Sequence, residues 1–251
     1  MEFLSEYGMF LAKAATIVVA LLVMVGGVVA LTRRSGEPDH RGRLDIRHLN
    51  EDYDSMALAL KAATLPKKAF KQARKEQKTR DKQHDKTARR RVFVLNFHGD
   101  LRAAAVASLR EEVTAVLTAA QPEDEVMVRL ESAGGLVHAY GLAAAQLLRI
   151  RDRRIKLTVA VDKVAASGGY LMACVADRII AAPFAILGSI GVIAQLPNFN
   201  RLLKKHDNDY EQFMAGEFKR TVTLFGENTD KGRHKFQEEI EVTHTLFKEF
   251  V

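Results

Sequence analysis

The second half of the chain alternates between short apolar runs and stretches where apolar residues recur every three or four positions. Val92–Phe97, Val126–Leu130 and Leu157–Val161 are nearly continuous apolar runs, which predict strands of a buried sheet. Helical spacing follows the first two runs, at Val106, Leu109, Val113, Val116 and Leu117, then at Leu136, Tyr140, Ala143, Ala144 and Leu147. This alternation predicts an α/β domain with a parallel sheet.

The later pattern predicts shorter elements. A helix is expected from Ser167 through Ala176, short strands at Ile179–Ala182 and Ile190–Ala194, and an amphipathic helix over Phe236–Val251. Ile179–Leu196 is also 18 residues without a charge, so a membrane span is the competing interpretation. One proline and two glycines interrupt the run, which favours strands.

The N-terminus carries a longer apolar run. Ala14–Leu31 is 18 residues without a charge, bounded by Lys13 and by Arg33 with its neighbour. That length is enough to cross a bilayer as a helix over about residues 10–31. A cleaved signal peptide is the alternative, but no small-residue cleavage motif follows the run. We therefore predict that residues 1–31 form an uncleaved membrane anchor.

The net charge of +7 is unevenly distributed. Lys61–Arg91 holds 13 Lys/Arg against 3 Asp/Glu, whereas residues 92–251 hold 19 against 20. The basic excess therefore lies in a predicted linker, residues 32–91, in which Glu51–Leu65 has helical spacing and the rest is helical or disordered. Since this segment follows a predicted anchor, anionic lipid is favoured over nucleic acid as its partner, and a solvated tether is the alternative.

Two short segments carry the candidate chemistry. Residues 164–170 read Val-Ala-Ala-Ser-Gly-Gly-Tyr, and residues 216–221 read Gly-Glu-Phe-Lys-Arg-Thr. Ser167 among small residues is a candidate nucleophile, and Lys219 is a candidate base because no histidine lies near the serine. A lysine base must be neutral, so we expect burial of Lys219 against Phe213, Met214 and Phe218. The alternative is a helix-capping serine and a surface lysine.

Two further motifs give the chain a family resemblance. Residues 130–136 read Leu-Glu-Ser-Ala-Gly-Gly-Leu, and residues 187–192 read Leu-Gly-Ser-Ile-Gly-Val. With the serine and lysine segments, in this order and spacing, the chain resembles the signal peptide peptidase A family of serine–lysine proteases. Residues 161–177 and 221–228 resemble its SohB branch. The resemblance implies a Clp-protease/crotonase-like β–α superhelix.

The resemblance also implies roles for single residues. Ser167 corresponds to the nucleophile, Lys219 to the general base and Ser189 to an accessory serine that orients the lysine amine. Gly135 and Gly168 correspond to the oxyanion hole. The family usually has proline where this chain has Ala133, and we expect a looser oxyanion loop as a result. No metal or organic cofactor is implied.

The expected function is a membrane-anchored serine endopeptidase that hydrolyses unfolded, signal-peptide or envelope polypeptides. The resemblance implies a homo-oligomer in the bacterial inner membrane, with a single-pass anchor and a periplasmic catalytic domain over residues 92–251, truncated at its C-terminus. Basic residues after the anchor favour the opposite, cytoplasmic placement. The alternatives are a catalytically inactive membrane scaffold and a crotonase-like acyl-CoA enzyme.

Overall fold

A computed structural model describes residues 2–33, 44–84 and 90–251 of the chain. It divides into two compact units, Met1–Asp45 and Ile46–Val251. The first unit contains helix α1, Glu2–Arg33, which includes the predicted anchor helix. Among the described residues, no helix is both long enough and apolar enough to cross a membrane. Parts of the predicted linker, residues 34–43 and 85–89, lie outside the described residues.

The second unit begins with two helices, α2 over Leu49–Thr64 and α3 over Lys67–His84. The helix predicted over Glu51–Leu65 is therefore confirmed, and the basic stretch is helical over Lys67–His84. Two acidic residues in the first turn of α2 and Lys61 in its last turn suit the helix dipole. No residue of α2 is buried, so this helix makes no contact with a buried core.

Six parallel strands and five helices make up the rest of the unit. The strands are β1 Val92–Gly99, β2 Glu125–Ser132, β3 Lys156–Val161, β4 Val164–Ala166, β5 Arg178–Ala181 and β6 Ile186–Gly188. The helices are α4 Val106–Ala119, α5 Val137–Asp152, α6 Gly168–Ala173, α7 Asn200–Lys205 and α8 Asp230–Phe250. The predicted α/β class with a parallel sheet is confirmed.

The sheet forks at β2. On one side β2 pairs with β1 along its whole length; on the other it pairs first with β3 and then, at Ser132, with β4. The fork arises because Asp162 and Lys163 interrupt the chain between β3 and β4. Strand β5 continues the β3 branch and β6 continues the β4 branch. The carboxyl ends of β1, β2, β4 and β6 therefore meet at one edge.

The core fills the space between one face of β1–β3 and the helices α4 and α5. Its completely buried side chains include Phe97, Val113, Val128, Leu147 and Leu157, all 0% exposed. Burial of each such side chain stabilises the fold by roughly 1.5–3 kcal/mol. Because α5 contributes Tyr140 to this core, the helix is fixed directly beneath the edge where the strands end.

The pattern misjudged the segment after β4. The strand predicted at Ile190–Ala194 is absent, since residues 189–199 form neither helix nor strand. Positive φ angles at Gly188 (103°) and Ser189 (54°) turn the chain out of the sheet before that point. Strand β5 forms as predicted but is exposed; its Ile180, for example, is 42% exposed. Helix α6 ends at Ala173, not Ala176.

Candidate active site

Three loops that carry candidate residues leave the sheet at the same edge. Strand β2 ends at Ser132, β4 at Ala166 and β6 at Gly188. The register pairs Ser132 with Ala165 and Ala166 with Gly188. Neighbouring strands lie about 4.8 Å apart, so the glycine loop after β2, Ser167 and Ser189 begin side by side. The fold thus brings together three of the four motifs.

Ser167 occupies a strained turn between β4 and α6. Its φ of 51° and ψ of −119° lie outside the regions that L-residues favour. Two backbone hydrogen bonds hold it there: its N–H donates to Gly188 O (2.8 Å) and its carbonyl accepts from Leu171 N (3.0 Å). The hydroxyl does not cap α6, which removes the helix-capping alternative. Strain of roughly 1–3 kcal/mol held at a serine is typical of a functional turn.

Glycines allow the backbone to close around this serine. A Cβ atom at Gly134 would lie 2.7 Å from both the carbonyl oxygen of Ala166 and Cβ of Ser167. Gly134 also has φ of 90°, where side chains are strained. A Cβ at Gly169 would lie 2.6 Å from the carbonyl oxygen of Ser132. The glycine loop and the start of α6 are therefore in direct backbone contact.

Two backbone N–H groups are available beside Ser167. Gly168 is the first residue of α6, so its N–H has no acceptor within the helix. The N–H of Gly134 donates to Ser132 Oγ (3.0 Å). Across the described parts of the chain, neither Gly135 N nor Gly168 N has a hydrogen-bond acceptor. A pair of free N–H groups next to a hydroxyl can stabilise an oxyanion.

Ser189 follows the residue that binds the backbone of Ser167. Gly188 accepts the Ser167 N–H, and Ser189 comes next with φ of 54°. The Ser189 side chain is exposed. Its backbone is therefore placed beside the Ser167 turn, and its side chain faces solvent.

Lys219 is not placed as the sequence predicted. Its side chain is exposed, and in the described chain no hydrogen bond joins its amine to Ser167 or Ser189. The expected apolar wall is also absent, because Phe213 is 91% exposed and Met214 51%. The expectation that Lys219 is buried is wrong for this chain on its own. Residues 206–229 contain no helix or strand that could enclose it.

The Lys219 turn is nevertheless held in place. Lys219 N donates to Gly216 O (3.3 Å) across a turn in which Gly216 has φ of 95°. The amines of Lys231 and Lys235 lie 5.5 and 5.7 Å from the centroid of the Phe218 ring. The first turns of α8 thus fix the segment that carries the predicted base.

Sequence reasoning assigned Tyr140 only to a helix face and missed its hydroxyl. The hydroxyl donates to the carbonyl oxygen of Asp100 (2.7 Å) and lies 2.6 Å from Ser132 Oγ. Burial raises the pKa of Tyr140, so the hydroxyl stays protonated. A completely buried tyrosine needs such partners, and its position at an apolar helix spacing was the signal available in the sequence.

Other reactive side chains near the carboxyl edge of the sheet need no catalytic role to explain their positions. Burial raises the pKa of the Cys174 thiol, which keeps it protonated and unreactive. Glu131 forms an ion pair with Lys163 (3.0 Å), and His98 lies 3.9 Å from the same carboxylate. Within the described ranges, no group of three or more His, Cys, Asp or Glu residues is arranged to hold a metal ion.

Comparison with known families gives matches over almost the whole chain. The N-terminal model of peptidase family S49 matches residues 2–147, and the model named peptidase family S49 matches residues 149–251. The probable protease SohB of Haemophilus influenzae is 48% identical over 264 residues, which cover all of this chain and 74% of that protein. The protein of the same name from Buchnera aphidicola subsp. Schlechtendalia chinensis is 44% identical, and the match covers all of this chain and 86% of that protein.

Solved structures give a weaker likeness. A 1510-N membrane-bound stomatin-specific protease in complex with a substrate peptide is 17% identical, with a TM-score of 0.36. The match covers 66% of this chain and 67% of that one. The sequence relatives, not this structure, therefore establish the family.

Proposed function

The chain belongs to peptidase family S49 and is a protease, and we propose that it is a serine endopeptidase with a Ser167–Lys219 dyad. The observation that carries the proposal is the strained Ser167 turn beside two unengaged glycine N–H groups. That arrangement suits attack by a hydroxyl on a carbonyl carbon and stabilisation of the resulting oxyanion.

The reaction follows from these groups. Lys219 in its neutral form takes the Ser167 proton as Oγ bonds to the scissile carbonyl carbon, and the carbonyl oxygen becomes an oxyanion. The N–H groups of Gly135 and Gly168 bind it, each donor contributing roughly 2.7–4 kcal/mol to barrier lowering. The lysine proton passes to the leaving amine, the C–N bond breaks, and an acyl-enzyme remains. Water then attacks the ester carbonyl carbon while Lys219 takes a proton from it. The bond from this carbon to Ser167 Oγ breaks, the acyl part leaves as a carboxylic acid, and the proton passes from Lys219 to Oγ.

The exposure of Lys219 sets a condition on this mechanism. A solvated amine is protonated at neutral pH and accepts no proton. The base must therefore be enclosed by atoms from outside the described residues, and we propose that a bound polypeptide or a neighbouring copy covers it. The strongly exposed Phe213 close by in sequence supports this, since its ring has no partner among the described residues. Ser189 would then accept or donate a hydrogen bond at the amine.

We propose that the substrates are unfolded, signal-peptide or envelope polypeptides, since backbone N–H groups without an acceptor can bind the backbone of an extended chain. We propose that the 18-residue charge-free run Ala14–Leu31 anchors the protease in the bacterial inner membrane, with the peptidase unit in the periplasm. The basic helix α3 then contacts anionic lipid. Protease protection of intact spheroplasts tests this: cleavage of the second unit from outside supports it, and protection of that unit contradicts it.

One observation favours a second candidate, a scaffold of the same fold without activity. Lys219 is exposed and makes no contact with the serine turn in the described chain. A scaffold needs neither residue, so its binding partners would be retained when both are replaced. The two candidates therefore differ in their response to the same variants.

Hydrolysis of an unfolded, fluorescently labelled protein separates them. The full chain is compared with Ser167→Ala, Lys219→Ala, Ser189→Ala and, as a matched control, Ser55→Ala on the exposed surface of α2. We expect Ser167→Ala and Lys219→Ala each to lose about 10³-fold or more and Ser189→Ala about 10- to 100-fold, with the control unchanged. No activity from the wild type would favour the scaffold. Activity that survives Lys219→Ala would place the base elsewhere.

A further inference from the structure

A chain of three hydrogen bonds lies beneath the proposed oxyanion hole. Tyr140 has one hydroxyl proton, which it donates to the carbonyl oxygen of Asp100 (2.7 Å). The short contact to Ser132 Oγ (2.6 Å) therefore has Ser132 as donor. Ser132 Oγ in turn accepts from the N–H of Gly134 (3.0 Å). Every bond runs in one direction, and each polarises the next.

The same tyrosine supports the other side of the hole. A Cβ at Gly168 would lie 2.6 Å from Tyr140 Cβ and closer still to the ring, so the Gly168 backbone rests on the tyrosine. Tyr140 is completely buried, and its ring packs edge-on against Phe97 with centroids 6.5 Å apart. The ring position is therefore fixed by the core, and Gly168 is fixed by the ring.

The glycine loop is braced at a second point. Gly135 lies against the backbone of Leu101, because a Cβ there would overlap the Leu101 carbonyl. Leu136 N donates to the same carbonyl (2.8 Å). Since Tyr140 binds the carbonyl of the preceding residue, Asp100, the segment after β1 is tied both to the tyrosine and to the loop.

We propose that Tyr140 and Ser132 are positioning residues that set the two oxyanion donors, Gly135 N–H and Gly168 N–H, at a fixed separation. The tyrosine hydroxyl acts through Ser132 on the Gly134–Gly135 loop, and its ring acts on Gly168. With the Gly134 N–H engaged by Ser132, Gly135 is left as the donor of the loop. The contacts made by Tyr140 and Ser132 also restrict the loop, as a proline in place of Ala133 would. The assignment rests on the proposed oxyanion role of the two glycines.

The test uses the full chain with Tyr140→Phe and Ser132→Ala. Thr158→Val is the matched control, since it also removes a buried hydroxyl with a hydrogen bond (to Glu125, 2.7 Å), but towards the opposite end of the sheet. We expect kcat to fall about 10- to 100-fold in both variants with KM within about twofold of wild type. The double variant should lose no more than the worse single variant, because one network is broken in either case.

Amide chemical shifts provide a readout that does not need activity. The Gly135 and Gly168 resonances should move in Tyr140→Phe and Ser132→Ala and stay in place in Thr158→Val. Unmoved resonances in both variants, or an equal kcat loss in the control, would overturn the proposal. If Ser167→Ala kept its activity, the proposed dyad would fail, while the glycine shifts would still decide whether Tyr140 and Ser132 position the two glycines.

Discussion

The position of Ser167 depends on neighbouring glycines, which have no side chain to keep the backbone segments apart. Gly134, Gly168 and Gly169 each stand where a Cβ would come within 3 Å of neighbouring backbone or ring atoms. The serine itself is strained, and the hydrogen bond from its N–H to Gly188 O holds it. Close backbone approach at these glycines thus creates the surroundings of Ser167.

A substitution at Gly168 should therefore affect activity far more than one at a comparable glycine. Gly168→Ala drives a methyl group into the Tyr140 ring, and the resulting shift should cost about 1–3 kcal/mol of stability and most of the activity. Gly141→Ala in α5 is the matched control, since, apart from the adjacent residues and backbone of its own helix, no heavy atom of the described residues lies within 4 Å of its new methyl group. The control should gain about 0.5–1 kcal/mol and keep its activity. Equal activities in the two variants, with unfolding curves confirming both fold, would contradict this account.

The sequence predicted the placement of some candidate site residues better than that of others. Ser167 and the glycines were recognisable because short motifs encode a local turn. Lys219 stays a prediction from residue type, and its expected burial is wrong because enclosure depends on atoms far away in sequence. Tyr140 fitted an apolar helix face so well that its hydroxyl went unnoticed, although a buried hydroxyl always needs a partner.

At the scale of elements, the start of β1 is fastened by one ion pair. Asp124 is 3% exposed and accepts hydrogen bonds from Arg91 N (2.7 Å), from the Arg91 guanidinium (2.6 Å) and from Gln121 N (2.8 Å). The same guanidinium donates to the carbonyl of Ala119 at the end of α4 (2.9 Å). One side chain thus joins β1, α4 and the turn before β2.

The Arg91–Asp124 ion pair predicts how the free energy of unfolding depends on pH. The hydrogen bonds from the Arg91 side chain, and then those from backbone N–H groups, lower the pKa of Asp124 to about 2. A lowered pKa means that the stabilisation is complete above the ordinary value near 4 and is lost as pH falls towards 2. In urea unfolding, the stability gap between wild type and Asp124→Asn should be constant from about pH 7 to 5 and shrink below about pH 4. A gap that stays constant down to pH 2.5 would show that the charge of Asp124 contributes nothing.

Strands and helices with long, regular patterns were predictable, and short ones were not. Apolar runs clearly predicted β1, β2 and β3, and the helical spacing of apolar residues clearly predicted α4, α5 and α8. Strand β4 has only three residues, Val164–Ala166, and exists because β2 offers it a partner beyond the end of β3. The strand predicted at Ile190–Ala194 has the right composition but no partner, since the turn at Gly188 directs it away from the sheet.

At the scale of the whole molecule, large apolar side chains of the last hundred residues are left in solvent. Phe184 is 98% exposed, Phe213 91%, Ile193 79% and Ile186 63%. Where such side chains lie together, they form surfaces that contact another protein or another copy. Along the sequence they lie between β5 and Lys219, whose side chain is likewise not enclosed by the described residues.

Self-association should therefore depend on these residues. We expect the full chain in mild detergent to form an oligomer and Phe184→Ser to weaken it, because the exposed ring loses its burial in the contact. Met56→Ser is the control, since Met56 is 62% exposed on α2, away from this segment. Light scattering after size-exclusion chromatography gives the mass of each. A wild type that stays monomeric at high concentration, or a control as weakened as Phe184→Ser, would argue against assembly through this surface.

The central claim is that Ser167 is a nucleophile activated by Lys219, and covalent labelling tests it most directly. The full chain and its Lys219→Ala variant are treated with a fluorophosphonate, and the modified residue is identified by peptide mass mapping. The account predicts modification of Ser167 in the wild type and at least about 100-fold slower labelling in Lys219→Ala. Modification of a different serine, or equal labelling rates with and without the lysine, would contradict it.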